Sequence, residues 1–243
     1  ICFSEGEEER VLRAAQIVLD EGLAQPILIG RPSVIQQRIE RFGLRLTEGV
    51  DYQVVNVEND HRYRDFWQTY HRMTERKGVT QQLAKIDMRR RLTLIGCMMV
   101  HKGEADGLIC GTWSTPDAHL HYIDQVIGLR PGVSTYACMN ALLLPERQVF
   151  LVDTHLNYDP SAEQLAEITL MAAEEMKRFG VEPKAALLSH SNFGSSNHPT
   201  AVKMRRTLAL VQAQAPWLEI DGEMHGDVAI DSTARQALMP HST

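Results

Sequence analysis

The sequence has no long hydrophobic run. No apolar stretch reaches the roughly 20 residues that a membrane-spanning helix needs, and no signal peptide is visible. The four cysteines, Cys2, Cys97, Cys110 and Cys138, have no paired spacing, and three of them lie in apolar segments. This pattern predicts free thiols in a reducing compartment, not disulfides or a metal site. We therefore expect a cytoplasmic protein.

The sequence also lacks an excess of positive charge. Its 25 Lys and Arg residues against 31 Asp and Glu residues leave a net charge of -6, which argues against nucleic acid as the main partner. With 44% hydrophobic and 23% charged residues, the composition is that of an ordinary globular protein. A length of 243 residues suffices for one sizeable core or for two modest domains.

Common metal-binding and nucleotide-binding patterns are missing as well. None of the ten histidines forms a His-x-x-x-His pair with a nearby acid. His119 and His121 lie two apart on a predicted helix, so their side chains point away from each other. The Ser/Gly-rich segment 189–199 has neither the Lys of a P-loop nor the glycine spacing of a dinucleotide fingerprint. We expect no metal site in this chain.

The first half of the chain alternates predicted strands with predicted helices. Strand-like segments at 1–3, 26–30, 53–57 and 107–111 are separated by helical periodicity, including a buried helix over 92–100. This order predicts an α/β fold with a mainly parallel sheet and crossover helices. A further helix over 62–77 carries one aromatic face that we assign to the core, formed by Phe66, Trp67, Tyr70 and Met73.

The pattern changes after Pro131-Gly132, so we predict a first domain over 1–131 and a second over 132–243. The second domain should contain a hairpin, two long helices and strands over 184–188 and 218–221, followed by a helix over 228–238. Both ends of the chain look cut, and we expect it to be a piece of a longer polypeptide.

Two predicted strands run into loops rich in hydroxyl groups. Residues 189–199 lie between a buried strand and a helix, where loose N–H groups and the positive end of the helix dipole could bind an anion. An ordinary turn before an N-capped helix explains the same pattern. Residues 111–116 form a second such junction. Since ligands bind beyond the carboxyl ends of parallel strands, the two loops could line one cleft.

Two charged clusters are open to a chemical interpretation. Asp221, Glu223, His225 and Asp227 could serve as acid/base groups or bind Mg²⁺, although we favour a solvated loop at a strand end. The run 89–91, three arginines, could hold a phosphate or a partner domain, and a solvated helix end is the simpler interpretation.

Several segments resemble the phosphotransacetylase family, in the right order and spacing over the whole chain. They are residues 5–15, 77–80, 160–168, 187–191 and 220–223. The resemblance implies two α/β domains with mainly parallel sheets, flanking helices and an interdomain cleft, as in isocitrate-dehydrogenase-like folds. It also implies a homodimer and acetyl transfer between coenzyme A and phosphate.

One branch of the family is more similar than the others. Residues 188–196 and 220–227 resemble the C-terminal domain of hybrid NADP-dependent malic enzymes, which oxidatively decarboxylate malate to pyruvate. Malic-enzyme domains outside this chain would then hold NADP and Mg²⁺ or Mn²⁺. The remaining part of the first domain would lie beyond residue 243. Acetyl-CoA is the effector that this resemblance implies.

Active members of the family carry two arginines that this chain lacks. His121 occupies one position and Thr74 the other, with Arg76 only displaced. The family's Leu-Ser-Arg-Gly segment would lie beyond residue 243. Neither imidazole nor hydroxyl replaces a bidentate guanidinium, and losing one charged contact removes roughly 2–4 kcal/mol of transition-state stabilisation. The resemblance therefore implies a non-catalytic domain that retains acetyl-CoA binding.

The expected ligand residues come from both loops. They are Gly111, Thr112, Ser114 and Thr115 in the first domain, and Ser189, Ser191, Asn192, Gly194 and Ser195 in the second. Three hypotheses remain open at this point. The chain is a regulatory acetyl-CoA domain acting on its own malic-enzyme domains, an active phosphate acetyltransferase in which His121, Arg76 or a neighbouring chain replaces the arginines, or a structural dimerisation module.

Overall fold

The computed structural model describes residues 1–242. The chain divides into two compact units, Ile1–Gly128 and Leu129–Thr243, next to the Pro131–Gly132 turn at which the sequence pattern changes. Both units contain helices packed on strands, as the sequence predicts.

The first unit is built on a parallel sheet with the strand order β3-β2-β1-β4. Its strands are β1 (Cys2–Phe3), β2 (Ile27–Gly30), β3 (Gln53–Asn56) and β4 (Leu108–Ile109). Its helices are α1 (Glu9–Asp20), α2 (Pro32–Phe42), α3 (Tyr63–Thr74), α4 (Gln81–Arg90), α5 (Leu92–His101) and α6 (Pro116–Val126), with a 3-10 turn at Glu75–Lys77 after α3.

Helices cover both faces of this sheet, because its central strands are apolar on both sides. Along β1 and β2 the side chains alternate between two separate core clusters. Cys2 and Ile29 pack with α3, α5 and α6, whereas Phe3 and Leu28 pack with α1 and α2. The helix α5 is buried nearly all round, as its uninterrupted apolar sequence predicts.

The aromatic face of α3 belongs to the core, which confirms that prediction. Phe66 and Tyr70 are buried in the cluster that covers one face of the sheet, and Trp67 and Met73 pack against it. The helix is shorter than predicted, because its last turn tightens into the 3-10 turn that precedes α4. The Thr80 side chain then caps α4 by accepting the Leu83 N–H.

The second unit contains two separate strand pairs. An antiparallel hairpin joins β5 (Met139–Leu143) to β6 (Gln148–Val152), and β7 (Lys184–Leu188) runs parallel to β8 (Glu219–Met224). The helices are α7 (Ala162–Arg178), α8 (Pro199–Gln214), α9 (Gly226–Ile230) and α10 (Ser232–Leu238). A capping box between Ser161 and Gln164 opens α7.

The core of the second unit lies between α7, α8 and the β7–β8 pair. Small side chains such as Ala166 and Ala173 let the helices approach, and Leu187, Val211 and Ile220 fill the centre.

Two predictions for this region differ from the structure. The strand β8 extends through Gly222 and Glu223, which the sequence placed in a loop. The predicted final helix is divided in two at Asp231, whose carboxylate caps α10.

Gly6 allows the chain after β1 to lie directly on β2. Its N–H donates to the carbonyl of Ile29 at 3.0 Å. A Cβ added at this position would lie 2.8 Å from the Ile29 oxygen and 2.9 Å from its nitrogen. Both atoms belong to the backbone of the central sheet and cannot move aside. Any larger residue must therefore displace the segment that carries Glu5.

We expect Gly6→Ala to lower the free energy of unfolding by about 1–3 kcal/mol, the usual cost of overpacking. Gly226→Ala is the matched control, since a Cβ there meets no atom within 4 Å. The control should change stability by less than about 0.5 kcal/mol. Urea unfolding followed by circular dichroism measures both variants, and equal midpoints would contradict the close packing at Gly6.

Candidate functional site

The loop between β7 and α8 closes around a buried carboxylate that enters it from β8. Glu223 is 0% exposed. Its Oε1 accepts three hydrogen bonds, from Ser191 Oγ at 2.8 Å, Gly194 N at 2.9 Å and Arg205 Nη1 at 2.7 Å. Its Oε2 is also buried and has no hydrogen-bond partner among residues 1–242.

A bulge in β8 explains why this side chain points into the loop. Leu187 pairs with Gly222 and Leu188 pairs with Met224, so Glu223 is an extra residue without a partner on β7. Gly222 makes the bulge possible: its φ is +135°, and a Cβ there would lie 2.8 Å from the Leu187 carbonyl oxygen. The Asp-Gly-Glu sequence therefore has a structural function at this strand end.

The loop uses its own backbone donors internally. Every N–H from Ser191 to Ser196 donates to an atom of the loop or of Glu223. The side chain of His198 caps α8 by accepting the Thr200 N–H. The expectation of loose N–H groups that await an anion is therefore wrong, since the negative charge that the loop surrounds belongs to the chain itself.

The predicted ligand residues of this loop differ in accessibility. Ser191 is buried and its hydroxyl donates to Glu223, which suits it to supporting the loop. Gly194 and Ser195 are exposed, and Ser189 and Asn192 are half-buried. The carbonyl oxygen of the Asn192 side chain accepts the His225 N–H at 2.7 Å. Ligand contacts from these residues stay a prediction.

The environment of Glu223 changes the pKa of its carboxyl group. Burial by itself raises the pKa of this carboxyl group, but hydrogen bonds from Gly194, Ser191 and Arg205 outweigh it, and the pKa is lowered from the ordinary value. The group is therefore charged at neutral pH and paired with Arg205. The preference for a solvated acidic loop was wrong for Glu223, although His225 and Asp227 are exposed.

The second candidate loop follows β4 in the first unit and is also tied to a buried carboxylate. The N–H of Gly111 donates to Oε1 of Glu5 at 3.3 Å. Gly111, Ser114 and Thr115 are exposed, whereas Thr112 is half-buried. Thr115 begins α6 without a capping hydrogen bond from its side chain, so capping does not use its hydroxyl.

His119 ties this loop to α5. Its Nε2 lies 2.5 Å from the Trp113 carbonyl oxygen and its Nδ1 lies 2.7 Å from Thr93 Oγ1. Because a carbonyl only accepts, Nε2 carries a proton, and Nδ1 is paired with the Thr93 hydroxyl. His119 is thus a positioning residue for this loop.

The two positions at which the resemblance implies arginines lie in different environments. Thr74 is 0% exposed and its hydroxyl donates to the Tyr70 carbonyl at 2.7 Å, so it presents no polar atom to a ligand. His121 is exposed on α6, with its ring edge-on to Tyr122 at 4.9 Å between centroids.

Two of the four cysteines are buried thiols that are poorly suited to act as nucleophiles. Burial raises the pKa of Cys2 and of Cys97 to about 12, so both are protonated thiols at neutral pH. Residues 1–242 contain no group of three His, Cys, Asp or Glu side chains arranged to hold a metal ion.

Across the same residues, no helix has the length and apolar character needed to cross a membrane.

Sequence reasoning missed Glu5, Arg205 and His119 as determinants of the loops. Glu5 stands beside Gly6 in a segment that carries the family resemblance, which was the available signal. Arg205 lies on α8, and nothing in its local sequence distinguishes it from the neighbouring Arg206.

We expect Glu223→Gln to lower the free energy of unfolding by about 2–4 kcal/mol. The expected loss of stability is smaller than for a fully buried ion pair, because the Arg205 side chain is 31% exposed and is partly solvated. Glu219→Gln is the matched control on the same strand, since its ion pair with Lys184 is exposed and should contribute less than about 1 kcal/mol. Equal urea midpoints for the two variants would contradict the role of Glu223.

The lowered pKa of Glu223 also predicts a dependence on pH. Its stabilising effect should be complete above the pKa of an unfolded glutamate, about 4.3, and should disappear as the pH falls through the lower folded value. The stability difference between wild type and Glu223→Gln should therefore narrow below about pH 4. Unfolding midpoints measured between neutral and acidic pH test this, and a constant difference would contradict it.

Comparisons with known proteins agree with this architecture and with the resemblance in the sequence. The chain is 52% identical over 242 residues to an NADP-dependent malic enzyme of Salmonella typhimurium, covering 100% of the chain and 32% of that protein. It is 34% identical over 244 residues to a phosphate acetyltransferase of Synechocystis sp., covering 100% of the chain and 34% of that protein. The chain thus spans about a third of the length of these curated relatives.

Solved structures lead to the same group of proteins. A phosphotransacetylase from Streptococcus pyogenes matches with a TM-score of 0.86 and 29% identity, over 100% of this chain and 73% of that one. Residues 1–243 also match the family described as phosphate acetyl/butaryl transferase. The chain belongs to the phosphate acetyl/butaryl transferase family.

Proposed function

We propose that this chain is the phosphotransacetylase-like domain of an NADP-dependent malic enzyme, in which it binds acetyl-CoA as an allosteric inhibitor and does not transfer acetyl groups. The identity of 52% to a malic enzyme over the whole chain supports the first part. The complete protein would oxidatively decarboxylate malate to pyruvate in the cytoplasm. Its malic-enzyme domains, outside this chain, would hold NADP and Mg²⁺ or Mn²⁺.

The environment of Thr74 carries the non-catalytic part of the proposal. Acetyl transfer to phosphate develops negative charge, which a fixed cation has to stabilise. The resemblance implies an arginine at this position, but Thr74 is fully buried and its hydroxyl is bound to Tyr70. Together with the imidazole of His121 in place of the second guanidinium, this removes two of the bidentate donors that the resemblance implies for the reaction.

Ligand binding can survive this loss, because it draws on other groups. The exposed residues Gly111, Ser114, Thr115, Gly194 and Ser195 lie at the ends of the strands of their own units. Loops in this position commonly bind ligands in parallel α/β folds. The long coenzyme A molecule offers amides, hydroxyls and phosphates to such groups.

Regulation requires that acetyl-CoA bind one state of the enzyme more tightly than another. We propose that this domain forms a homodimer or a higher oligomer and that acetyl-CoA shifts the equilibrium between two states of that assembly. The partners of the domain would be its own malic-enzyme domains and a second copy of the chain.

An active phosphate acetyltransferase is the second candidate, favoured by Arg76. This side chain lies two residues after Thr74 on the 3-10 turn and is exposed. Within the described part of the chain it has no hydrogen bond or ion pair. A small rearrangement of the turn could direct its guanidinium toward a bound phosphate.

Calorimetry with acetyl-CoA should show saturable binding to the chain. With acetyl-CoA and phosphate, acetyl phosphate should form at least about 100-fold more slowly than with an active phosphotransacetylase run in parallel, given the loss of charged donors. Robust turnover would contradict the proposal. Absence of both binding and turnover would leave a purely structural dimerisation module.

Arg76→Gln tests the second candidate. If Arg76 is not catalytic, this variant and the control Arg64→Gln should show the same residual turnover, since Arg64 is likewise exposed and unpaired within residues 1–242. A selective loss of turnover in Arg76→Gln would establish the catalytic alternative.

A further inference from the structure

The first unit contains a cavity with charged side chains in its wall, and the proposed function does not use its arginines. It has a volume of about 160 Å³ and lies between the α4–α5 junction and the start of α6. Glu5, Arg90, Arg91, Trp113, His119 and Tyr122 contribute to its wall. This volume has room for a small ligand.

One side of the cavity is cationic. Arg90 is exposed and has no ion pair or hydrogen bond among the residues that the structure describes. Arg91 makes a loose ion pair with Asp87 at 3.8 Å, beyond hydrogen-bond distance. The positive end of α5 begins at the next residue, Leu92. These groups can hold a carboxylate or phosphate, and the guanidiniums can do so with two hydrogen bonds each.

The opposite side of the cavity carries a buried carboxylate that accepts few hydrogen bonds. Glu5 is 4% exposed and lines the cavity. Its one hydrogen bond in the described residues is the long contact of 3.3 Å from Gly111 N. A carboxylate can accept about four hydrogen bonds, so Glu5 has acceptor capacity left for a ligand. A donor group of a ligand would supply the missing bonds.

The wall between the two sides is rigid. Both ring nitrogens of His119 are engaged, with Thr93 on α5 and with the Trp113 carbonyl. This holds the backbone of Trp113, whose side chain is 48% exposed, beside the cavity. The charged groups thus lie on a preformed frame, and like charge repels an anion from the Glu5 side.

We infer that this cavity binds a small organic anion that also carries a hydrogen-bond donor. Its carboxylate or phosphate group pairs with Arg90 and Arg91, and its hydroxyl or ammonium group donates to Glu5. The arginines belong to none of the residues expected to bind acetyl-CoA, although Ser114 of that set also lines the cavity, so the site adjoins the proposed effector residues.

Titration calorimetry at constant ionic strength tests the inference with three probes. L-malate and glycerol 3-phosphate combine an anionic group with a hydroxyl, and malonate has two carboxylates without a donor. We expect one or both hydroxylated probes to bind at concentrations up to about 10 mM, at least about 10-fold more tightly than malonate. The tighter of the two identifies carboxylate or phosphate as the preferred group.

Variants assign the binding to the cavity. The double variant Arg90→Gln/Arg91→Gln should bind the preferred probe at least about 10-fold more weakly than the wild type. Arg89→Gln should bind it with unchanged affinity. Arg89 is the matched control because it belongs to the same arginine run but does not line the cavity. Glu5→Gln should reduce the preference for the hydroxylated probe over malonate, with folding verified by circular dichroism.

The inference is wrong if no probe binds, or if the double variant binds as tightly as the wild type. Acetyl-CoA affinity, measured in parallel, should change less than about twofold in the double variant. A loss of acetyl-CoA binding there, without binding of the small probes to the wild type, would place the arginines in the effector site and overturn the inference. Failure of acetyl-CoA binding alone would contradict only the proposed function.

Discussion

The ion pair between Glu223 and Arg205 is the constraint on which the candidate loop of the second unit depends. A fully buried carboxylate is stable only where donors replace the water it has lost. Here a serine hydroxyl, a glycine N–H and a guanidinium converge on one oxygen atom. Because these donors come from the loop and from α8, the charge organises both around itself. The loop shape is thus a consequence of satisfying one buried charge.

The first unit repeats this arrangement in a weaker form. Gly111 follows β4 and donates its N–H to Glu5, which follows β1. In each unit, a glycine of a hydroxyl-rich loop therefore binds a buried glutamate from a neighbouring parallel strand. The difference lies in how completely the carboxylate is satisfied: Oε1 of Glu223 accepts three bonds, whereas Glu5 accepts one long bond beside an open cavity. The Oε1 atom of Glu223 is thus fully used within its own unit, whereas Glu5 keeps acceptor capacity for a ligand.

Loss of catalysis and retention of binding are compatible, because they depend on different groups. Transition-state stabilisation needs fixed charge at the reacting atoms. Thr74 is uncharged and fully buried, and its hydroxyl donates to the Tyr70 carbonyl. Binding of a large ligand is spread over many contacts at loop ends, and the loss of one cation affects it less. In the function proposed above, the scaffold would therefore keep a binding surface without the arginines of the reactive centre.

Periodicity and local composition by themselves determined the α/β class, the parallel order of the first sheet, the buried α5 and the core face of α3, since these follow from which residues avoid water. The family could be identified from ordered segments along the chain. Only the tertiary structure decided what Glu223, Glu5 and His119 do. The bulge that turns Glu223 inward depends on β7, a partner strand some 35 residues away in the sequence. From the sequence, the N–H groups of the loop were expected to be free, because part of their acceptors belongs to Glu223 on another element. Contacts between distant elements leave no periodic signal in the sequence.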